Sequence, residues 1–230
     1  MPPAETHFLD YLTTRVDATF YLSPVTEQKV LKLLQDLNPA KSGGPDNLTP
    51  KLLKHIAHVI YIPLTILFNK SIEKAKYPGG WKLAKVTALY KKDSRNVPDN
   101  YRPISLLNSL GKIFEKLIFN QMMSFIKKHE ILYSLQFGFR EKHSTSHALI
   151  SMTDKIKWAL DNKKLAVGIF LDIKKAFDCI DHDILCIKLE HYGFRGHILT
   201  FLRSYLTDRK HTSRLCTGTT SIFTLYKRYK

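Results

Sequence analysis

The residue best placed to do chemistry in this chain is an aspartate at the end of an apolar run. Leu165-Ala166-Val167-Gly168-Ile169-Phe170-Leu171 leads into Asp172, and Ile173-Lys174-Lys175-Ala176-Phe177-Asp178 follows. A run that is apolar at both parities predicts a strand buried on both faces, since a half-exposed strand alternates. At a two-residue period Ala166, Gly168, Phe170 and Asp172 share one face, and the small residues there leave room beside the carboxylate. A carboxylate in such a place needs a partner or a metal if buried. The residues alone allow two roles: an N-cap for a helix beginning near Lys174, or a ligand for a hard cation at an opening.

The rest of the chain must position that group. With 230 residues, 44% of them apolar, it is long enough for one large domain or two small ones. No apolar run reaches the roughly 18 residues of a membrane span, and Met1 to His7 shows no signal-peptide pattern. Three cysteines without paired spacing (Cys179, Cys186, Cys216) argue for a reducing, intracellular setting, cytoplasmic or nuclear. Cys179, His182 and Cys186, with His143 and His147 elsewhere, do not have the spacing of a structural zinc site. The net charge is +16, and residues 1–40 are slightly acidic, so the excess lies in the later 190 residues. A basic, well-cored chain points to a polyanion, and nucleic acid is the usual one.

In order, residues 1–24 are poorly patterned and read as a loose arm. A helix is expected from Thr26 and another after the Thr49-Pro50 cap, with Pro63 breaking it and starting a third. Lys85–Tyr90 and Asn100–Leu106 make a hairpin with a basic tip. Ser109 is expected to cap a long helix, and a helix from about Ser144 to Leu160 leads to the strand before Asp172. Two further helices run through Leu189 and Leu202, and Thr212–Tyr226 has the composition of a hairpin.

Several of these pieces fall in an order that resembles the reverse transcriptase domain of non-LTR (LINE-type) retrotransposons. They are Lys41-Ser42-Gly43-Gly44-Pro45-Asp46, Trp81 through Lys92, Asn100-Tyr101-Arg102-Pro103-Ile104-Ser105-Leu106-Leu107, and Gly111-Lys112-Ile113-Phe114-Glu115-Lys116. Gln136-Phe137-Gly138-Phe139-Arg140 with His143-Ser144-Thr145, then Phe170 through Asp178 with Asp181-His182, complete the set. The resemblance implies an α+β fold: right-hand polymerase fingers, mostly helical with a β-hairpin, over 25–163. An incomplete palm, a central strand flanked by helices, would follow over 164–230.

It also implies roles. Asp172 and the backbone carbonyl of Ile173 would bind Mg²⁺ (or Mn²⁺) for two-ion nucleotidyl transfer, Asp172 being the catalytic carboxylate. Lys91, Lys92 and Arg102 would neutralise the triphosphate of a dNTP, without a choice between the two lysines. Phe177 would lie under the sugar and select deoxynucleotides. Gln136, Gly138 and Arg140 would lie along the template. RNA template, DNA primer and dNTPs are the implied partners, with no membrane.

The resemblance stops short of a full site. The family's aromatic-Ala-Asp-Asp hairpin and Gly-x-Pro-Gln-Gly segment have no counterpart, and no Asp-Asp pair or Pro-Gln-Gly occurs anywhere in the sequence. The expectation is a truncated or frameshifted copy, inactive by itself as an RNA-directed DNA polymerase and leaving uncovered apolar surface beside the central strand. The alternative is a basic RNA/DNA-binding remnant without catalysis.

Overall fold

The computed structural model describes residues 10, 12, 15–97, 100–173, 176 and 179–213. Phe177 and the stretch from residue 214 onward, with most of the expected second hairpin, lie outside them. No helix among the described residues is long and apolar enough to cross a membrane.

Local signals set most element ends. Helix α1 (Glu27–Gln35) starts after Thr26. Helix α2 (Pro50–His55) is capped by the Thr49 hydroxyl, which accepts from the Leu52 amide, with proline at the first helical position. The break expected at Pro63 falls instead at Ile56, and Pro63 sits inside α3 (Ala57–Glu73). A proline within a helix costs about 3 kcal/mol. Here Ala57, Leu64, Phe68 and Ile72 of the same helix are all buried in the core, and breaking the helix at Pro63 would separate them.

A short 3₁₀ turn, Gly79–Lys82, feeds β1 (Leu83–Tyr90), which pairs antiparallel with β2 (Tyr101–Leu107). Helix α4 (Ser109–Lys128) is capped one residue earlier than expected. Asn108 Oδ1 accepts from the amides of Leu110 and Gly111. Helix α5 (Thr145–Asp161) starts at Ser144, whose hydroxyl accepts from the His147 amide. After it come α6 (His182–His191), α7 (His197–Leu206) and β3 (Lys210–Ser213).

Strand β3 runs parallel to β1, so the sheet order is β2-β1-β3 and its central strand is β1. The run from Leu165 to Leu171, expected to be central and buried, forms neither helix nor ladder. Leu165 is 98% and Leu171 89% exposed. The apolar pattern reports a demand for burial, but a strand also needs a partner backbone, and no described residue supplies one. The uncovered apolar surface expected there is present.

The core is aromatic and lies among α1, α3, α4 and α7. Phe68 stacks on Phe114 with ring centres 4.6 Å apart, Tyr77 lies nearly parallel to Phe114 on another side, and Trp81 and Phe201 pack edge-on around the pair.

Residues 16–25 extend along this core and are not loose. Phe20 is buried against Phe125 and Phe194. Arg195 donates to the carbonyls of Val16 (2.5 Å) and Asp17 (2.9 Å). The side-chain amides of Gln121 and Asn69 each bond both the N–H and the C=O of one residue, Ser23 and Val25 respectively. Gly193, at φ 94°, is required where this stretch crosses, since a Cβ there would stand 2.4 Å from the Ala18 carbonyl oxygen. Sequence pattern missed this because the fastening groups lie up to 179 positions away.

Candidate nucleic-acid and nucleotide site

The hairpin is the best-built part of the expected site. Its register pairs Leu89 with Arg102 and Tyr90 with Tyr101, and the Lys91 amide donates to the Asn100 carbonyl at 2.8 Å. Alternation therefore puts Lys91 on the same sheet face as Arg102, diagonally across the ladder. That face also carries Lys85 and, from β3, Lys210 two strands away from Arg102. The opposite face turns buried Ala84 inward. Lys92 lies beyond the paired residues and is exposed.

The tip between the strands is organised by its own side chains. The Tyr101 hydroxyl donates to the Arg95 carbonyl (2.9 Å), Asn100 Nδ2 donates to the Ser94 carbonyl (2.8 Å), and the Tyr90 hydroxyl donates to the Asp93 carbonyl. Arg95 lies over the Tyr90 ring, 5.3 Å from its centre.

Of the three residues expected along the template, Arg140 is turned back on its own loop. Its Nη1 donates to the carbonyls of Tyr133, Ser134 and Gln136 at 3.1 to 3.3 Å. Gln136 Nε2 donates to the Gly138 carbonyl at 3.1 Å. The left-handed backbone in this loop falls on Phe139 (φ 58°), not on Gly138, and nothing lies within 4 Å of where a Gly138 Cβ would be. Open space above Gly138 suits close approach by another molecule better than a turn requirement. Glu141 pairs with Lys127 at 2.5 Å, and the lysine beside it holds its carboxyl below the usual range.

Asp172 and Ile173 are exposed at the end of the unladdered run. Among the described residues no hydrogen bond or ion pair holds the Asp172 carboxylate, and none links it to the hairpin or to the Gln136–Arg140 loop. The helix-cap role is filled elsewhere: the first described helix after it starts at His182, capped by Asp181, whose Oδ1 accepts from Asp183 and Ile184. Two surface concavities, one beside Thr49, Lys51 and His55 and one beside Tyr21, Arg195 and His197, are not lined by Asp172.

A divalent ion needs several oxygen ligands. Among the described residues no group of three or more His, Cys, Asp or Glu side chains is gathered. Asp172 suits one ligand position for a hard ion, but this donor set does not make a two-ion site. Cys186, one of the cysteines weighed for zinc, is buried, and burial pushes its thiol up.

The Lys41–Asp46 segment turns out to be a clasp. A Cβ on Gly44 would stand 2.7 Å from the Asn108 backbone, so the turn lies directly against the start of α4. Asn108 Nδ2 donates to Asp46, and Ser109 Oγ donates to the Leu48 carbonyl at 3.2 Å. The glycine and aspartate of that segment were visible in sequence, but their partner, 62 positions later, was not.

A small mixed sheet with a basic face, beside a helical body with an aromatic core, is an α+β arrangement. The chain belongs to the reverse transcriptase (RNA-dependent DNA polymerase) family, whose pattern matches residues 89–228. More closely, it is a reverse transcriptase domain of the non-LTR retrotransposon type. It is 33% identical over 202 residues to the RNA-directed DNA polymerase from mobile element jockey of Drosophila melanogaster, covering 87% of this chain and 22% of that protein. It is 32% identical over 208 residues to the probable RNA-directed DNA polymerase from transposon BS of the same species, covering 90% and 23%. A Pol polyprotein from retrotransposable element R2 of Popillia japonica is 22% identical over 195 residues, covering 85% and 26%. The chain thus spans about a quarter of the length of these relatives.

Proposed function

We propose that this chain is the nucleotide- and template-facing part of an RNA-directed DNA polymerase, and that by itself it binds nucleic acid without extending a primer. The observation that carries the binding half is the basic sheet face, on which register sets Lys91 diagonal to Arg102, with Lys85 and Lys210 on the same face towards the other end of the ladder. Two cations side by side at the end of a rigid ladder suit a triphosphate, and the guanidinium offers a bidentate fork. Lys91 rather than Lys92 is the lysine that shares this face. Gln136, Gly138 and Arg140 belong to a template-side loop in which Arg140 holds the loop's shape and open Gly138 admits the strand. Phe177 would sit under the sugar. Asp172 and the Ile173 carbonyl would contribute to a Mg²⁺ or Mn²⁺ site that further carboxylates must complete.

The inactive half follows from the donor count. One carboxylate cannot hold two divalent ions against a triphosphate, and this chain has no Asp-Asp pair.

The test uses an RNA template with an annealed DNA primer. Fluorescence anisotropy should show binding that weakens steeply as salt rises, with Lys91→Ala and Arg102→Ala together lowering the salt slope by about 2. Primer extension with dNTPs and Mg²⁺ or Mn²⁺ should yield no product. Templated product abolished by Asp172→Ala would overturn the inactivity, and failure to bind at low salt would overturn the nucleic-acid reading.

A further inference from the structure

Lys163 adopts a left-handed conformation (φ 53°) just past the end of α5, and the Lys164 amide returns to the Ala159 carbonyl at 2.7 Å. This left-handed cap stops the helix and launches the chain into the run Leu165–Leu171. Lys164 stands at one end of the run, its ammonium over the Trp158 ring at 4.6 Å, and Asp172 stands at the other. Between them there is no charge and, among the described residues, no backbone hydrogen bond. Both parities are apolar and exposed, as Leu165 at 98% and Phe170 at 83% illustrate. A stretch with free backbone groups and apolar side chains on both sides is a template for pairing with another strand.

Which strand it fits is written in its own sequence. Set antiparallel to a second copy of itself about Gly168, the run brings Lys164 opposite Asp172 of the second copy at both ends. One face then carries four aliphatic pairs, Leu165 with Leu171 and Val167 with Ile169, each twice. The other face sets Ala166 opposite Phe170 on either side of a Gly168–Gly168 centre, small against large. Shifting the register by two residues in either direction loses both charge matches, and puts Phe170 against Gly168 in one case and against Lys164 in the other. A Cβ at Gly168 would already stand 3.3 Å from the Phe170 ring, so the glycine leaves the space that ring uses.

We propose that this chain self-associates through antiparallel pairing of two Leu165–Leu171 segments, centred on Gly168. This goes beyond the polymerase reading and does not depend on it. Each copy carries +16, so the bodies repel and added salt strengthens association. Nucleic-acid binding has the opposite salt dependence, which separates the two in one titration.

Sedimentation velocity of the nuclease-treated chain should show a monomer–dimer equilibrium in the micromolar range, as so small a contact allows, tightening with NaCl. Ile169→Lys should raise the dissociation constant about tenfold or more without moving the melting temperature of the dilute monomer. Lys164→Asp should weaken pairing severalfold, and adding Asp172→Lys should restore it. Register is read by oxidation in a chain whose three cysteines are replaced. Gly168→Cys should form a disulfide across the centre, and Ala166→Cys, opposite Phe170, should not. A monomer at every concentration and salt, association indifferent to Ile169→Lys, or equal cross-linking at 166 and 168 would each overturn the proposal.

Discussion

Phe114 and Phe170 are the same residue type in opposite settings. Phe114 is 0% exposed, stacked on Phe68 and ringed by Tyr77, Trp81 and Phe201. Phe170 is 83% exposed on a run that packs against no described strand. The contrast extends to polar groups. Around the aromatic core, Gln121, Asn69 and Arg195 each bond backbone atoms far away in sequence, and Asn108 bonds the distant Asp46 side chain. Beyond α5, Asp172 has no described partner. The body that carries the basic sheet is thus closed and self-sufficient, whereas the stretch that carries the metal-suited carboxylate is still to be covered. Stability and the chemistry of Asp172 should therefore respond to different residues.

Three substitutions in the body test one side of this contrast. Phe114→Ala should cost about 3–5 kcal/mol in chemical denaturation, because the tight ring cluster cannot collapse into the space. A cost under about 1 kcal/mol would mean that the core is not closed. Arg195→Ala should cost about 2 kcal/mol and release Val16–Thr19 in hydrogen exchange, since a cationic fork bonding several carbonyls is lost. Arg195→Lys should rescue little, because an ammonium cannot span the same acceptors.

Tyr77→Phe is a smaller change with a pH signature. The Tyr77 hydroxyl donates to Glu115 Oε1 at 3.2 Å, and burial, then the Glu115 charge, pushes its phenol well above the ordinary value. Tyr205 is raised by the same two causes. A raised value means that the folded state holds its proton more tightly. That stabilisation is complete below about pH 10 and is lost as pH climbs, when the unfolded phenol ionises first. Tyr77→Phe should cost about 1 kcal/mol at neutral pH. Above pH 10 the gap to the parent chain should narrow by about 1.4 kcal/mol per pH unit. Parallel alkaline limbs would show that the phenol is not held neutral.

How far the sequence disclosed this structure depends on the range of each signal. Caps and periodicity act within a few residues, so Thr49-Pro50, Ser144 and the hairpin strands were legible. Ile56 rather than Pro63 ends α2 because the decision is made by what α3 buries. Asn108 takes the cap from Ser109 because Asp46 also holds it. Residues 1–24 looked unpatterned, since the groups that fasten the part from Val16 onward belong to α3, α4 and the turn before α7. At the candidate site, residue types announced a basic hairpin, and only register could choose Lys91 as the neighbour of Arg102. Arg140 looked like a template contact; the carbonyls it bonds are supplied by the path of its own loop.

The smallest expected effect bears on the other side of the contrast. Phe170→Ser removes a large ring that touches little of the body, so the dilute chain should melt within about 0.5 kcal/mol of the parent. The same substitution in a buried strand would cost several kcal/mol through lost burial and an added hydroxyl. Measured beside Phe114→Ala, it turns one residue type into a gauge of which region is packed. A loss above about 2 kcal/mol would mean that Leu165–Leu171 is covered in solution even in the monomer. Asp172 would then sit at the end of a buried strand, as its sequence first suggested.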